Sequence, residues 1–262
     1  MGNSSLQQIQ VIKIGGNVID DPDQLKSFID NFSKIEGFKI LIHGGGKEAT
    51  RLSEALGIST TMIDGRRVTD GATLEVVTMT YAGLINKRIV SMLQSAGCNA
   101  IGFSGADGNM MPAKMRCKHP VDYGYVGDIN PADVNIGLLN TLLEAGIVPV
   151  LCAICHDGAG QLLNCNADSV ASAMAIAASA IGPVRLTYCF EKPGVLRDVD
   201  NDTSIIPIIT EESFRQLLDE GIIAKGMIPK LRNALDAIKK GVDEVRICKA
   251  SDILQKSGSL VK

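Results

Sequence analysis

The chain of 262 residues has no tryptophan, and aromatic residues make up only 4% of it. Its core is therefore not built on aromatic packing. Basic residues are not in excess, because 26 Lys and Arg face 29 Asp and Glu and give a net charge of −3. That balance excludes a strongly basic nucleic-acid-binding surface and a polybasic membrane anchor. No run of about 20 apolar residues is present to cross a bilayer.

The seven cysteines are an odd number, and their spacing forms no disulfide framework. The N-terminal stretch MGNSSLQQIQ has no basic region that leads into an apolar run, so no signal peptide is predicted. We therefore expect a reduced, cytoplasmic protein.

Apolar runs of strand length alternate with helical patterns along most of the chain. The predicted strands are 8–16, 38–46, 99–105, 147–154, 184–190 and 244–248. The predicted helices are 21–35, 47–56, 69–97, 130–146, 167–182, about 210–220 and 229–240. This alternation predicts an α/β fold with an open, mainly parallel sheet sandwiched between helices. We expect two lobes, residues 1–182 and 183–262, although no linker marks the boundary.

Two of the predicted strands end in glycines, at Gly15-Gly16 and at Gly44-Gly45-Gly46. Ligands of open parallel sheets bind at the carboxyl ends of the strands, and glycine lets backbone N–H groups approach an anion closely. The sequence contains neither a P-loop nor a GxGxxG dinucleotide fingerprint. Each motif taken alone is equally compatible with an ordinary strand-to-helix turn.

Two lysines have positions suited to the same anion. Lys13 lies in the middle of an apolar strand, where a charge is costly to bury unless it meets a partner. Lys230 lies near the start of a predicted helix, where a solvated side chain is the more common interpretation.

Further candidates lie before two helices. Asn166 is interpreted as an N-cap, and Asp168 would be favoured by the helix dipole in any case. Arg66 and Arg67 either form a loop before a cap or grip a substrate carboxylate.

Metal and redox centres are not indicated. The three histidines, at positions 43, 119 and 156, lack metal-ligand spacing, so no protein-bound metal is predicted. His43 opens a glycine turn and is expected to hold that loop by a hydrogen bond. Cys152 and Cys155 have thioredoxin-like spacing but lie within a predicted strand, which favours reduced core thiols.

Taken together, these segments resemble the amino acid kinase superfamily and, within it, the N-acetyl-L-glutamate kinase family of arginine biosynthesis. The resemblance runs essentially end to end. The segments that carry it are VIKIGG (11–16), LIHGGG (41–46), GRRVTD (65–70), GADGNMMPAK (105–114), YVGDI (125–129), LLNCNAD (162–168), PGVL (193–196) and GMIPKLRNAL (226–235). The glycine turns are shared among related kinases, whereas RVTD, NxNAD and GMIPK are more specific.

The resemblance implies the amino acid kinase fold and ATP-dependent phosphorylation of the γ-carboxylate of N-acetyl-L-glutamate, with Mg²⁺ carried on the nucleotide. The implied catalytic residues are Lys13 and Lys230, which hold the transferring phosphoryl group, and Asp168, which organises the two lysines. The implied phosphate-binding residues are Gly15, Gly16, Gly44 and Gly45, and the implied substrate-binding residues are Gly45, Gly46, Arg67, Asn164 and Asn166. The first lobe would bind acylglutamate and dimerise, and the second would bind the nucleotide.

The sequence departs from the family pattern at two places that bear on function. Phe190-Glu191 replaces a common Ser/Thr-Asp pair in the nucleotide-contacting stretch. Arg66 replaces a common apolar residue before the substrate arginine. Arg66 is either a surface residue or an added cation for an acyl group with its own carboxylate, as in N-succinyl-L-glutamate.

Regulation and assembly are expectations from the same resemblance. Arginine-inhibited members have a long N-terminal helix and a C-terminal effector segment, which are not found here. The chain is more similar to the arginine-insensitive homodimers, with the predicted helix over 70–95 as the candidate interface.

Three other functions remain as alternatives. Aspartate, glutamate, carbamate or UMP kinases share the glycine turns. A non-catalytic nucleotide or amino-acid sensor is possible on the same fold, but retention of both lysines and Asp168 argues against it. A dinucleotide oxidoreductase would require the fingerprint that is missing.

Overall fold

The computed structural model describes residues 7–63, 65–223, 226–255 and 257–262. The N-terminal stretch in which no signal peptide is predicted therefore lies largely outside the described residues. The strands of the protein are β1 (Ile9–Ile14), β2 (Phe38–His43), β3 (Met62–Ile63), β4 (Arg66–Arg67), β5 (Ala100–Phe103), β6 (Ala113–Met115), β7 (Gly127–Ile129), β8 (Val148–Cys152), β9 (Ile154–His156), β10 (Leu162–Asn164), β11 (Val184–Phe190), β12 (Ile208–Ile209), β13 (Glu244–Lys249) and β14 (Ser259–Val261).

The α-helices are α1 (Gly16–Asp20), α2 (Pro22–Ser33), α3 (Gly46–Ala55), α4 (Gly71–Thr78), α5 (Asn86–Ser95), α6 (Ile136–Glu144), α7 (Ala167–Ala178), α8 (Glu211–Asp219) and α9 (Ile228–Lys239). A π-helical segment, Met79–Ile85, joins α4 to α5. Short 3₁₀ turns lie at Asp107–Asn109, Pro131–Asp133 and Ala250–Asp252.

The central sheet has eight strands in the order β12-β14-β13-β11-β1-β2-β8-β5. Its neighbours pair in parallel except β13 and β14, which are antiparallel. The strand β1 lies inside the sheet between β2 and β11, and five of its six residues are buried. Burial on both faces is typical of parallel strands that helices cover. The predicted α/β class with a mainly parallel sheet is confirmed.

Helix α2 shows how directly some elements follow from the sequence. The Asp21 carboxylate accepts hydrogen bonds from the backbone N–H groups of Asp23 and Gln24, which is an N-cap. The apolar face consists of the four residues that the periodicity predicts to be buried: Leu25, Phe28, Ile29 and Phe32.

The predicted helix over 69–97 is helical from Gly71 to Ser95, but its middle part is a π-helix rather than an α-helix. Asp70 caps α4 by accepting a hydrogen bond from the Thr73 backbone N–H at 2.8 Å. Between α4 and α5, however, the Met79–Ile85 segment has π-helical hydrogen bonding. Hydrophobic periodicity does not reveal such a segment, because the apolar positions on both sides still repeat at helical spacing.

The predicted strand over 147–154 is wrong in its last part. Its chain leaves the central sheet after Cys152, and Cys155 lies in β9, which pairs antiparallel with β10 in a separate two-stranded sheet. The segment Arg66–Arg67, interpreted above as a loop, pairs with β3 as β4. Strands of two or three residues are too short for an alternating pattern to mark them.

Two further findings concern membrane-spanning helices and the cysteines. No helix among the described residues is both long and apolar enough to span a bilayer. All seven cysteines are free thiols, which include Cys152 and Cys155.

A buried lysine closes the C-terminal end of α2. The Lys39 ammonium donates hydrogen bonds to the carbonyl oxygens of Phe32, Ser33 and Ile35 at 3.1, 2.9 and 2.8 Å. Carbonyls in the last turn of a helix have no partner within the helix, and a cation there also meets the negative end of the helix dipole.

We expect the Lys39→Met substitution to lower the free energy of unfolding by about 2 kcal/mol, because it removes a charged donor from three buried carbonyls. Urea unfolding should show a lower midpoint at an unchanged m-value. Lys34→Met, at the exposed cap position of the same helix, is the matched control and should leave the midpoint within error. Equal midpoints for both variants would contradict the capping role.

Candidate active site

Two lysines and one aspartate from distant parts of the chain meet at one carboxylate. The Lys13 Nζ atom, from β1, lies 2.8 Å from Asp168 Oδ1. The Lys230 Nζ atom, from the first turn of α9, lies 2.7 Å from Asp168 Oδ2 and donates a hydrogen bond to it. Lys13 and Asp168 are only 7% and 8% exposed. We call these three residues the Lys–Asp–Lys cluster.

The electrostatics of the Lys–Asp–Lys cluster favour an anion. Burial alone would raise the pKa of the Asp168 carboxyl, but the two ammonium groups outweigh burial and hold this pKa at about 2. Burial lowers the pKa of Lys230, and the neighbouring carboxylate opposes that effect. Two cations thus share one anion, so the cluster carries a net positive charge at neutral pH.

The sequence around Asp168 fixes its position. The Asn166 side-chain oxygen accepts hydrogen bonds from the backbone N–H groups of Asp168 and Ser169 at 2.9 and 3.1 Å. The predicted N-cap is therefore confirmed, and it places Asp168 in the first turn of α7. The Tyr188 hydroxyl donates to the Asp168 carbonyl at 3.3 Å from the neighbouring strand β11.

Both predicted glycine turns lie at the carboxyl ends of adjacent strands. Gly15 and Gly16 follow β1, and the Gly15 N–H donates to the Cys189 carbonyl at 3.0 Å. Gly45 precedes α3 with a φ of 153°, and a Cβ atom there would lie 2.2 Å from Ile85 Cδ1. Gly45 therefore has to be glycine on both conformational and steric grounds. The π-helical segment supplies the side chain that packs on it.

His43 holds the second glycine turn from inside the protein. Its ring is fully buried, with Nδ1 2.8 Å from the Gly44 carbonyl and Nε2 3.0 Å from the Asn86 side-chain nitrogen. These partners assign the proton to Nδ1, which donates, while Nε2 accepts. Burial lowers the pKa of His43 to about 4. The predicted loop-holding hydrogen bond is confirmed.

A cavity of about 230 Å³ adjoins the Lys–Asp–Lys cluster, and Lys13 forms part of its wall. The other walls come from both glycine turns, the β3–β4 hairpin, the π-helical segment and the start of α7. The predicted site residues that line it are Lys13, Gly16, Gly44, Gly45, Gly46, Arg66, Arg67, Asn164 and Asn166.

Arg67 is buried in this wall and is held by neutral oxygens. Its guanidinium donates to the Gly46 carbonyl and the Thr50 hydroxyl, each at 2.8 Å, and to the Thr60 hydroxyl at 3.1 Å. Neutral acceptors orient the guanidinium without neutralising its charge. The arrangement suits the recognition of a carboxylate.

Two further predicted residues of the wall, Asn164 and Arg66, lie near Arg67 in the fold. The Asn164 amide donates to the Thr69 hydroxyl at 3.0 Å, and that hydroxyl donates to the Arg67 carbonyl at 3.2 Å. Arg66 is half-buried and pairs across the hairpin with Ile63. The RRVTD and NCNAD motifs are therefore joined in one wall.

Two aromatic residues at the site are not predicted by the sequence analysis. Tyr81 is buried in the cavity wall, where burial raises the pKa of its hydroxyl while Arg67 opposes the shift. Phe190 lies over both lysines of the Lys–Asp–Lys cluster. The apolar periodicity of the predicted helix does not distinguish Tyr81 from its other apolar residues. Phe190, in contrast, is identified in the sequence as a departure from the family pattern.

Comparisons with known proteins agree with this geometry. The family model described as the amino acid kinase family matches residues 8–249. The acetylglutamate kinase of Phocaeicola vulgatus is 49% identical over 256 residues, which cover 98% of this chain and 99% of that protein. The acetylglutamate kinase of Methanopyrus kandleri is 40% identical over 258 residues, covering 97% and 100%.

Solved structures show the same fold at low sequence identity. The N-acetylglutamate synthase of Neisseria gonorrhoeae superposes with a TM-score of 0.82 at 20% identity and covers 98% of this chain and 59% of that one. The carbamate kinase of Giardia lamblia, solved with AMP-PNP, superposes with a TM-score of 0.68 at 16% identity and covers 98% of each chain.

The buried neutral His43 predicts a dependence of stability on pH. Below pH 6.5 the unfolded chain takes up a proton at this histidine, whereas the native state resists protonation until about pH 4. The contribution of His43 to stability is therefore lost as the pH falls from 6.5 to 4. Relative to His43→Gln, the free energy of unfolding of the wild-type protein should fall by on the order of 2 kcal/mol more across that interval.

Chemical denaturation at a series of pH values measures this difference in slope. His119→Gln, on an exposed segment, is the control and should follow the wild-type slope. A His43→Gln profile parallel to wild type would show that His43 takes up its proton over the same pH range in the native and the unfolded state, so that burial does not lower its pKa.

Proposed function

This chain belongs to the amino acid kinase family, and we propose that it is an acetylglutamate kinase of arginine biosynthesis. It transfers the γ-phosphoryl group of ATP to the γ-carboxylate of N-acetyl-L-glutamate and forms N-acetyl-L-glutamyl 5-phosphate. The observation that carries this proposal is the Lys–Asp–Lys cluster beside a cavity that contains an oriented, buried arginine.

The chemistry requires charge neutralisation more than proton transfer. A side-chain carboxylate with a pKa of about 4.3 is already ionised at neutral pH, so the nucleophile needs no general base. The difficulty is to bring this anion in line with an anionic phosphoryl group. We assign Lys13 and Lys230 to the transferring phosphoryl group and Asp168 to holding the two ammonium groups in place. Charged donors aimed at the transition state are the largest contribution available to such a reaction.

The glycine turns are assigned to the phosphates. Gly15, Gly16, Gly44 and Gly45 follow β1 and β2 at the end of the sheet where an anion would lie, and α3 adds the positive end of its dipole. The Gly15 N–H already donates to the Cys189 carbonyl, so the part of Gly15 is to shape the first turn. The position of Gly45 supports this assignment, because it lines the cavity and has no Cβ atom that would keep a ligand away from its backbone.

The acylglutamate is assigned to the cavity. Arg67 and Asn164 bind its carboxylate and amide groups, and the backbone of Gly45 and Gly46 borders it. Asn166 lines the same cavity, and its side-chain oxygen is engaged at the N-cap, so we assign substrate contact to its NH₂ group.

ATP is the phosphoryl donor in this proposal, and Mg²⁺ enters bound to the nucleotide. Both Asp168 oxygens already meet ammonium groups at 2.8 and 2.7 Å. Across the described part of the chain, no three His, Cys, Asp or Glu side chains are grouped to hold a metal ion. This donor set fits a metal ion held by phosphate oxygens, whose charge the lysines and glycine turns complement.

The same proposal includes lobes, assembly and location. Residues 1–182 form the acylglutamate-binding and dimerisation lobe, and residues 183–262 form the nucleotide-binding lobe with β11–β14 on one side of β1. The helical segment within 70–95 is the proposed homodimer interface, since Met79 and Leu84 on it are about half exposed, at 52% and 47%. Free thiols throughout support a reduced cytoplasmic location.

A second candidate substrate is N-succinyl-L-glutamate, because Arg66 lines the cavity beside Arg67. A second guanidinium at this wall could bind the additional carboxylate of a succinyl group.

Trapping of the acyl phosphate with hydroxylamine tests the reaction directly. We expect ATP-dependent hydroxamate formation with N-acetyl-L-glutamate and little with free glutamate at equal concentration. No hydroxamate from any N-acylated glutamate would refute the kinase proposal and favour a non-catalytic sensor.

The same assay decides the role of Arg66. If N-succinyl-L-glutamate is the substrate, Arg66→Leu should lower its kcat/KM at least tenfold and change that of N-acetyl-L-glutamate less than twofold. Arg215→Leu, on the exposed face of α8, is the control. Preference of the wild-type protein for the acetyl compound would make Arg66 a bystander.

Lys13→Met should lower kcat by about 10²- to 10³-fold, because it removes a cation aimed at the transferring phosphoryl group. Circular dichroism should show an intact fold, since Lys230 still pairs with Asp168. Lys26→Met, an exposed lysine of α2, should retain full activity. A loss of less than tenfold in the Lys13 variant would remove Lys13 from the phosphoryl site.

A further inference from the structure

The ring of Phe190, the last residue of β11, lies over both ammonium groups of the Lys–Asp–Lys cluster. Its centroid is 4.3 Å from Lys230 Nζ and 5.3 Å from Lys13 Nζ. Both distances are within the range of about 6 Å in which a cation is attracted by the negative face of an aromatic ring. One ring thus contacts both lysines that the proposed reaction uses.

The position of this ring is set by the central sheet. Lys13 is in register with Tyr188, so Phe190 lies two residues further, on the same face and beside the first glycine turn. The rings of Tyr188 and Phe190 stack at 6.4 Å with an interplanar angle of 11°. Phe190 Cδ1 also approaches the Gly15 backbone, at 3.5 Å from where a Cβ atom would be. Rigid neighbours therefore hold the ring.

The charge balance of the Lys–Asp–Lys cluster explains how a contact with an uncharged ring can stabilise the two ammonium groups. Asp168 supplies one negative charge to two ammonium groups, of which that of Lys13 is buried and that of Lys230 is partly buried, and the two repel each other. A second carboxylate would offset that charge but would also repel the incoming phosphoryl anion. An aromatic face attracts cations through its quadrupole while it carries no net charge.

Resting on the kinase function proposed above, we propose that Phe190 is a positioning residue whose π face keeps the ammonium groups of Lys13 and Lys230 charged and oriented for phosphoryl transfer. It acts through the lysines and makes no bond to the reacting atoms. The replacement of the family's common Ser/Thr at this position is then a functional feature of this chain.

The ionisable groups that face the two lysines come from four elements, α7, β1, α9 and β11, and from the residue after β11. They are Asp168 of α7, each lysine toward the other, Tyr188 and Cys189 of β11, and Glu191 just beyond β11. Burial raises the pKa of Tyr188 well above its usual value. A hydrogen bond with Cys248, together with burial, does the same for the pKa of Cys189. Burial instead lowers the pKa of Lys230, so an alkaline loss of activity is assigned to an ammonium group rather than to Tyr188 or Cys189.

A series of fluorinated phenylalanines at position 190 tests the proposal with little change of shape. Each added fluorine weakens the negative face of the ring. From phenylalanine to its 4-fluoro, 3,5-difluoro and 3,4,5-trifluoro derivatives, kcat in the hydroxamate assay should fall stepwise, about three- to thirtyfold in total. The alkaline limb of the kcat profile should move to lower pH by about half a unit.

Two substitutions and one control accompany the series. Phe190→Tyr keeps the π face and should retain kcat, whereas Phe190→Leu keeps apolar bulk and should behave like the trifluoro variant. Trifluorophenylalanine at Phe214, a buried residue of α8, is the control and should leave the alkaline limb unchanged.

The outcomes separate this inference from the kinase proposal. An active wild-type protein with a flat series overturns the role of Phe190 and leaves the kinase function standing. A series that changes only the KM for ATP also overturns it, since Phe190 would then be a wall of the nucleotide site. An inactive wild-type protein contradicts the kinase function itself, and the inference falls with it.

Discussion

The contact of one buried carboxylate with two ammonium groups is the interaction on which the rest of the site depends. Asp168 makes it possible to bury Lys13 inside a parallel sheet, where an unpaired charge would be prohibitively costly. It also brings α9 against β1 and α7 through Lys230, at a separation of 62 residues. Because the cluster retains one net positive charge, the same contact that stabilises the fold creates an anion site at the end of the sheet.

The backbone beside this cluster is shaped by packing rather than by flexible loops. The neutral imidazole of His43 holds the second glycine turn by a hydrogen bond to the Gly44 carbonyl, and Ile85 of the π-helical segment packs against Gly45. Asn86 follows directly and hydrogen bonds to both His43 and the Val150 carbonyl. The helical segment proposed to form the dimer interface is therefore packed directly against a turn proposed to bind phosphate, so assembly and active-site geometry would depend on different faces of one segment.

The charge partners of Arg67 differ from those of the two lysines. Arg67 is oriented by uncharged oxygens, so its positive charge is not neutralised within the protein and can attract an anionic ligand. The two lysines instead share one carboxylate, which neutralises half of their combined positive charge. Phe190 completes the cluster without adding a charge. These arrangements suit a reaction in which the nucleophile and the transferring group are both anionic and no proton has to be removed first.

The sequence by itself determined the fold class, six of the eight strands of the central sheet, the regions of the described α-helices other than α1, and the candidate residues at the ends of strands, because apolar periodicity and capping are local properties. It also indicated Lys13, since a lysine in an apolar strand requires a partner. The family resemblance implied that Asp168 organises Lys13 and Lys230, and the tertiary structure shows both contacts. Only the tertiary structure decided that Phe190 lies over the two lysines and that Tyr81 lines the cavity. It also decided the π-helical segment and the break after Cys152. These features depend on contacts between residues far apart in the chain, and no local pattern encodes such contacts.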